Sequence, residues 1–359
     1  MSSSLVNDEF PLTEIPATEN WGENYVVAFY DPVTGIGGML SMGRWVIRNR
    51  LWRNMSYIAL PNDRVFVSRN MGPGTDPKVP DSGVFRLEIP EPGRRLRYVF
   101  DGPMEERTMT DLNTVGLQVG ATGLVQFDLE FRSEQPIWDM HADRQQDHTV
   151  WNAEANYNSP EGHIEQNGRL TGTIQCGDGE VYSIDAVATR DHSRGVRNLT
   201  RYKSHIWANG MFPSGRSFNI FTLKAHGFDG IATGRSAAIV DGVLHDIELT
   251  TDSGGWLNQA DRLFAPVTLS FESPTLGRLE ISATKLINSV PLMLLFPADH
   301  YWSVPAQSRT KTLTWVNEQK VEWRWDGEEG WGHMERGNSR FAATDPDWLA
   351  NFRKPAAGC

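Results

Sequence analysis

Apolar and polar residues alternate along most of this chain. "RLTGTIQ" and "VYSIDAV" place apolar side chains at every second position. "SFNIFTLKAH", "LHDIELTTD", "PVTLSFES", "RLEISATKL" and "KVEWRWDG" do the same. A period of two puts one face of an extended strand in a core and the other in water, as antiparallel sheet requires. Turn signals separate these stretches: "PNDR" after Leu60, "PEPGRR" after Ile89, "CGDGE" after Gln175, "PSGR" after Phe212, "VDGV" after Ile239 and "SPTLGR" after Glu272. Each is a hairpin signature. Helical periodicity is scarce, and "DPDWLANFRK" near the C-terminus is one short candidate.

The pattern predicts an all-β protein. Many hairpin-linked strands need their edges closed or covered, which barrels and sandwiches achieve. A chain of 359 residues has room for two units, each an antiparallel barrel of roughly eight strands. The expected division is 1–195 and 196–359.

Composition narrows the partners. A net charge of −11 argues against nucleic acid and against an anionic membrane surface. Thirteen tryptophans suit a core or cavity that holds flat or apolar molecules, so a hydrophobic small molecule is the expected partner. Cys176 and Cys359 are too few for a disulfide framework and allow a reducing compartment. The start, "MSSSLVNDEFPLTEIPATEN", lacks the basic and apolar regions of a signal peptide, and "SVPLMLLFP" is too short to span a bilayer. A cytoplasmic protein without a membrane span is expected, its oligomeric state open, with a homodimer one option. Sequons at Asn54 and Asn198 then read as accidental.

The candidate chemistry centres on "RDHSRG", residues 190–195. "GIGGML" lacks the strand–turn–helix context of a phosphate loop and reads as a hairpin turn. "HADRQQDH" (residues 141–148) has no second ligand cluster with zinc spacing and reads as a polar loop, so no metal is expected. Asp191, His192 and Ser193 are adjacent, and neighbours on a strand face opposite ways, so they make no triad. On a regular strand Arg190 and His192 share one face, Asp191 and Ser193 the other. Both pairs reach one site only if the strand bulges or ends there, as Gly195 permits. The "CGDGE" hairpin lays the strand of His163 and Glu165 against that of Asp191, making Glu165 and Asp191 neighbours. Two carboxyls in an apolar barrel push one pKa up and leave a neutral acid; a surface ion pair with an Arg explains them equally well. Trp21 and Glu23 open an alternating strand as a barrel plug or cavity wall. Trp331, His333 and Glu335 sit in a closing strand, where a structural role suffices.

"HIEQNGRLTGTI", a hairpin, "RDHSRGVRN" and "WANGMFPSGRSFN", preceded by "NWGENYVVAFYDPVTGIGGMLSMGR", resemble a bacterial family of two-domain lipocalin-like proteins similar to the carotenoid 1,2-hydratase (hydroxyneurosporene synthase) superfamily. The resemblance implies two tandem lipocalin-like barrels packed on each other. It also implies a hydratase, dehydratase or isomerase acting on an alkene of a terpenoid, steroid or prenylated aromatic, with no metal or redox cofactor. A pericyclase that folds a polyene and a non-catalytic carrier are the alternatives. The family's acidic motif falls on Asp191 and His192, with Glu165 at the acidic position of the preceding strand. Asp191 is then the expected proton donor, with Glu165 tuning it or positioning water and His192 and Arg190 orienting or completing the relay. Trp21, Glu23, Tyr202, Trp207 and Arg194 are expected around the substrate. Arg194 stands where the family usually has Trp, which puts a cation in place of a flat apolar wall.

Overall fold

The computed structural model describes residues 9–17, 21–45, 51–113, 120–133, 135–140, 158–177, 179–197, 202–225, 233–250, 266–294 and 313–340. The first unit contains β1 (Trp21–Tyr30), β2 (Gly37–Trp45), β3 (Leu51–Ala59), β4 (Arg64–Pro73), β5 (Phe85–Glu91) and β6 (Arg95–Thr108). It continues with the short helix α1 (Met109–Asn113), β7 (Ala121–Arg132), β8 (Trp138–Asp139), β9 (Asn158–Cys176) and β10 (Glu180–Arg197). Antiparallel pairing runs β1-β2-β3-β4-β6-β7-β9-β10, and β10 pairs back onto β1 to close an eight-stranded barrel. β5 and β8 are added at the edges of β6 and β9.

The second unit is an up-and-down barrel of consecutive strands: β11 (Tyr202–Met211), β12 (Ser217–Ala225), β13 (Thr233–Val240), β14 (Val243–Leu249), β15 (Val267–Ser273), β16 (Gly277–Leu294), β17 (Leu313–Trp325) and β18 (Glu328–Arg340). β18 closes it onto β11. The helical candidate at 345–354, the loop at 141–148, Asn198 and Cys359 fall outside the described residues. Among the described residues no helix is long and apolar enough to cross a membrane.

The turns form where turn chemistry demanded them. Asn62 and Asp63 both take positive φ, 67° and 69°, between β3 and β4, and Asp241 and Gly242 (51° and 74°) do so between β13 and β14. Two consecutive left-handed residues match the twist of a tight hairpin. The turn expected at "GIGGML" falls just before it, at Pro32–Thr34, where Asp31 Oδ1 accepts from Val33 N at 2.8 Å, and "GIGGML" itself runs into β2 from Gly37. Asn54 is fully buried and donates to Ser68 Oγ at 3.0 Å, so it serves the fold rather than glycosylation.

Among the described residues both barrel interiors are filled by side chains. Phe66, Phe85, Phe100, Phe127, Phe131 and Tyr98 belong to the first core, and Phe218, Phe271, Trp323 and Trp325 to the second. A third cluster joins the barrels, packing Val26, Ala28, Met39 and Tyr57 of the first against Trp207 and Val290 of the second. A packed barrel has no room for a ligand, which directs attention to that seam.

Candidate active site

Strand alternation sorts the cluster at residues 190–194 onto two faces. Ile184, Ala186 and Ala188 belong to the first core, so Arg190, His192 and Arg194 follow them inward, while Asp191 and Ser193 face out toward the second barrel. Gly195 does carry a bulge, with φ 140°, but the register shifts between Arg194 and Gly195, after the cluster.

The inward residues form a closed network at one end of the first barrel. Glu23 accepts from Arg44 Nε at 3.0 Å and Nη2 at 2.5 Å, with His192 Nε2 at 3.2 Å and Arg194 Nη1 at 3.8 Å. His192 stacks on Tyr25, 3.8 Å between ring centroids. Arg190 donates to Gln166 Oε1 at 3.0 and 2.8 Å and pairs with Glu9. The segment around Glu9 is tied down further: Tyr25 Oη donates to the Glu9 carbonyl at 2.9 Å, and Arg44 Nη2 to the Leu12 carbonyl at 2.5 Å. Trp21 is buried beside Arg44, whose guanidinium lies 5.9 Å from its ring centroid. Burial works to raise the pKa of Glu23, but His192 and Arg44 outweigh it and hold the carboxyl below its usual range. The structure therefore does not bring Arg190, His192, Arg194, Trp21 or Glu23 to Asp191; they stand on the opposite face of the sheet. The described part of Tyr202 is its backbone, at the start of β11.

The outward face is different. Asp191 is paired with Glu165 across β9 and β10, and Ser193 with His163. Glu165 is fully buried, and neither carboxyl oxygen makes a well-formed hydrogen bond; the Trp207 indole N–H is the weak donor beside it. His163 Nε2 touches Asp191 Oδ2 and lies 3.7 Å from Glu165 Oε1. Burial first, and the charge of Asp191 second, push the Glu165 pKa well above the carboxylate range, while the Trp207 indole pulls it the other way. The expected neighbours are thus neighbours, but on the outside of their barrel, beneath the second one.

The second barrel answers with its own outward positions. Ile206 and Ala208, Val321 and Trp323, and Met334 face its core, so His205 and Trp207, Glu318 and Lys320, and His333 and Glu335 face the seam. His205 pairs with Glu335. His333 Nε2 lies 2.9 Å from Glu318 Oε2, off the line of a good hydrogen bond, and its Nδ1 lies 2.9 Å from Lys320 Nζ. Burial and Glu335 push the Glu318 pKa well up. Burial also works to raise Glu335, but His205 and Glu318 keep it low. Two triplets bring ligand-type atoms within 4.8 Å of one another: His163, Glu165 and Asp191, and Glu318, His333 and Glu335. In the first, His163 Nε2 faces a carboxylate; in the second, both His333 nitrogens face other side chains. Both sets read as proton-sharing groups rather than cation cages.

His333 and Glu335 were expected to be structural, and Glu318, Lys320 and His205 were missed. Their one signal was charge at alternate positions of the closing strands, which a solvated face explains as cheaply.

The family model described as "Domain of unknown function (DUF7064)" matches residues 7–254, more than half of the chain. The chain belongs to the DUF7064 family. The matched span includes Glu165, Asp191 and Trp207 but stops before β17 and β18. No curated protein matches this DUF7064 member. Among solved structures, it is similar to an AttH candidate (NE1406) from Nitrosomonas europaea, at 13% identity and TM-score 0.53, covering 89% of this chain and 92% of that one. It is also similar to CghA solved with Sch210972, at 12% identity and TM-score 0.52, covering 89% and 88%. A looser likeness, at 10% identity and TM-score 0.44, is to kievitone hydratase from Nectria haematococca, covering 95% and 96%. At such identities the shared property is the two-barrel fold.

Proposed function

We propose that the seam between the barrels is an acid-catalytic site. In this reading the protein adds water to, or removes it from, an alkene of a hydrophobic terpenoid, steroid or prenylated aromatic, without a cofactor. The observation that carries this is Glu165, a fully buried carboxyl beside Asp191 whose oxygens make no well-formed hydrogen bond. Protonating an alkene carbon needs an acid that still holds its proton where an ordinary Glu has lost it, and burial beside Asp191 supplies that condition. The surroundings favour Glu165 over Asp191 as donor, because Asp191 already faces His163. Asp191, held by His163, then takes the proton from the water that captures the carbocation. Trp207 and Phe221 offer aromatic faces beside that cation; Phe221 lies 5.6 Å from His163 by ring centroids.

A narrow crevice between the barrels is lined by Ala28, Tyr30, Val187, Asn209, Met211 and Trp331. The reading agrees with the resemblance to the carotenoid 1,2-hydratase superfamily, and the solution of one fold relative, CghA, with Sch210972 supports a small-molecule role. The packed barrel interiors count against a carrier that holds its ligand inside a barrel.

The test is incubation with a terpenoid, steroid and prenylphenol panel in H₂¹⁸O, followed by mass spectrometry. Incorporation of ¹⁸O that is lost in Glu165→Gln supports the reading. Undiminished turnover in that variant, or a ligand that binds and leaves unchanged across the panel, overturns it.

A further inference from the structure

Lys320 has no part in the chemistry above, yet its setting is unusual. It is fully buried, with its Nζ 2.9 Å from His333 Nδ1. On the other side of the ring, Glu318 Oε2 lies 2.9 Å from His333 Nε2. Its stem lies flat on the first barrel, where a Cβ on Gly37 would stand 3.0 Å from Lys320 Cγ, and its Nζ lies 5.6 Å from the centroid of the Tyr57 ring. A nucleophile within hydrogen-bond reach of a base, with that base oriented by a third group, is the arrangement of covalent catalysis. His333 also lines the narrow crevice between the barrels.

We propose that Lys320, His333 and Glu318 form a second reactive centre, in which the Lys320 amine captures an aldehyde or ketone as an imine. The nitrogen lone pair attacks the carbonyl carbon and the C=O π pair moves to oxygen. His333 accepts a proton from nitrogen and passes it to that oxygen, giving a carbinolamine. The C–O bond then breaks, the second nitrogen proton follows the same route, and water leaves as C=N forms. Atoms balance without an oxidant or reductant.

The charge state fits this step. Burial lowers the Lys320 pKa to about 7 against the pull of Glu318 and Glu335, and burial with the adjacent amine keeps His333 neutral by lowering its own. Near pH 7 a large fraction of Lys320 is then free amine, whereas an exposed lysine is almost wholly ammonium.

The experiment treats the full chain with cinnamaldehyde at pH 7 in the presence of sodium cyanoborohydride, which reduces any imine to a stable secondary amine. Digestion and mass spectrometry then locate the adduct. Lys320 should carry roughly tenfold or more adduct than any other lysine, reflecting its larger neutral fraction. Lys320→Met should erase the adduct, and His333→Gln should slow its formation while Lys320 remains. Adduct spread over other lysines with Lys320 unmodified overturns the proposal. So does trapping at an unchanged rate in His333→Gln, which would remove the relay. If Lys320→Met does not fold, the wild-type map alone decides. The readout is independent of ¹⁸O incorporation, so this centre and the acid site at Glu165 can fail separately.

Discussion

The two faces of the β9–β10 pair carry the same kinds of residue and do opposite things. Inside the barrel, Glu23 meets Arg44, His192 and Arg194, and Glu9 meets Arg190, so both of these carboxyls have a cation. On the outside, Glu165 meets Asp191, and His163 Nε2, 3.7 Å from Glu165 Oε1, sits closer to Asp191 than to Glu165. Burying a charge is costly unless it is paired, and an unpaired carboxyl answers by keeping its proton. The paired face is therefore construction. The outward face holds a buried carboxyl that burial and Asp191 push toward its protonated form.

The sharpest way to break this contrast is to change one carboxyl on each face. Glu165→Gln keeps shape and removes the acid. Turnover in the ¹⁸O assay should fall by about 10²-fold or more, with the urea midpoint unchanged or higher. Arg44→Met should do the reverse. It removes two charge-assisted bonds to Glu23, leaving His192 and Arg194 beside it, and should cost about 1.5–3 kcal/mol by urea unfolding, while turnover per folded molecule persists. If Arg44→Met abolishes turnover in protein that still folds, the division between the faces is wrong.

Stability against pH separates the faces by sign. The Glu23 pKa is lowered in the folded state, so its contribution is present above the unfolded value of 4.5 and is lost as pH falls through the folded value. The Glu165 pKa is raised, so its contribution is complete below 4.5 and is lost as pH rises through the folded value. Urea midpoints across pH should show Glu23→Gln flattening the acid limb and Glu165→Gln the limb above it. The smallest effect belongs to Trp207→Phe. Without the indole that favours the carboxylate, the Glu165 pKa should rise further, and the alkaline limb of the turnover profile should move to higher pH. A downward move would contradict the placement of Trp207.

The legible part of the molecule was the part set by local rules. Period-two alternation and turn chemistry at Asn62–Asp63 and Asp241–Gly242 act within a few residues, so strands and hairpins followed from sequence alone. The same alternation placed Arg190 and His192 opposite Asp191 and Ser193, and the "CGDGE" hairpin placed Glu165 beside Asp191. Which face is inside is not local. It depends on how the sheet curves and on what covers it, and an outward position on a barrel ordinarily means water. Here outward means a second barrel. Glu318 and Lys320 alternate with core residues just as solvated residues would, and His333 and Glu335 lie more than a hundred residues from Glu165 along the chain. Sequence determined antiparallel strands, their hairpins and the juxtaposition of Glu165 and Asp191 across one of them. Only the packing of one closed barrel on another, which takes water from both outward faces at once, decided that these charges meet, and a carboxyl becomes an unusual acid only when its water is gone.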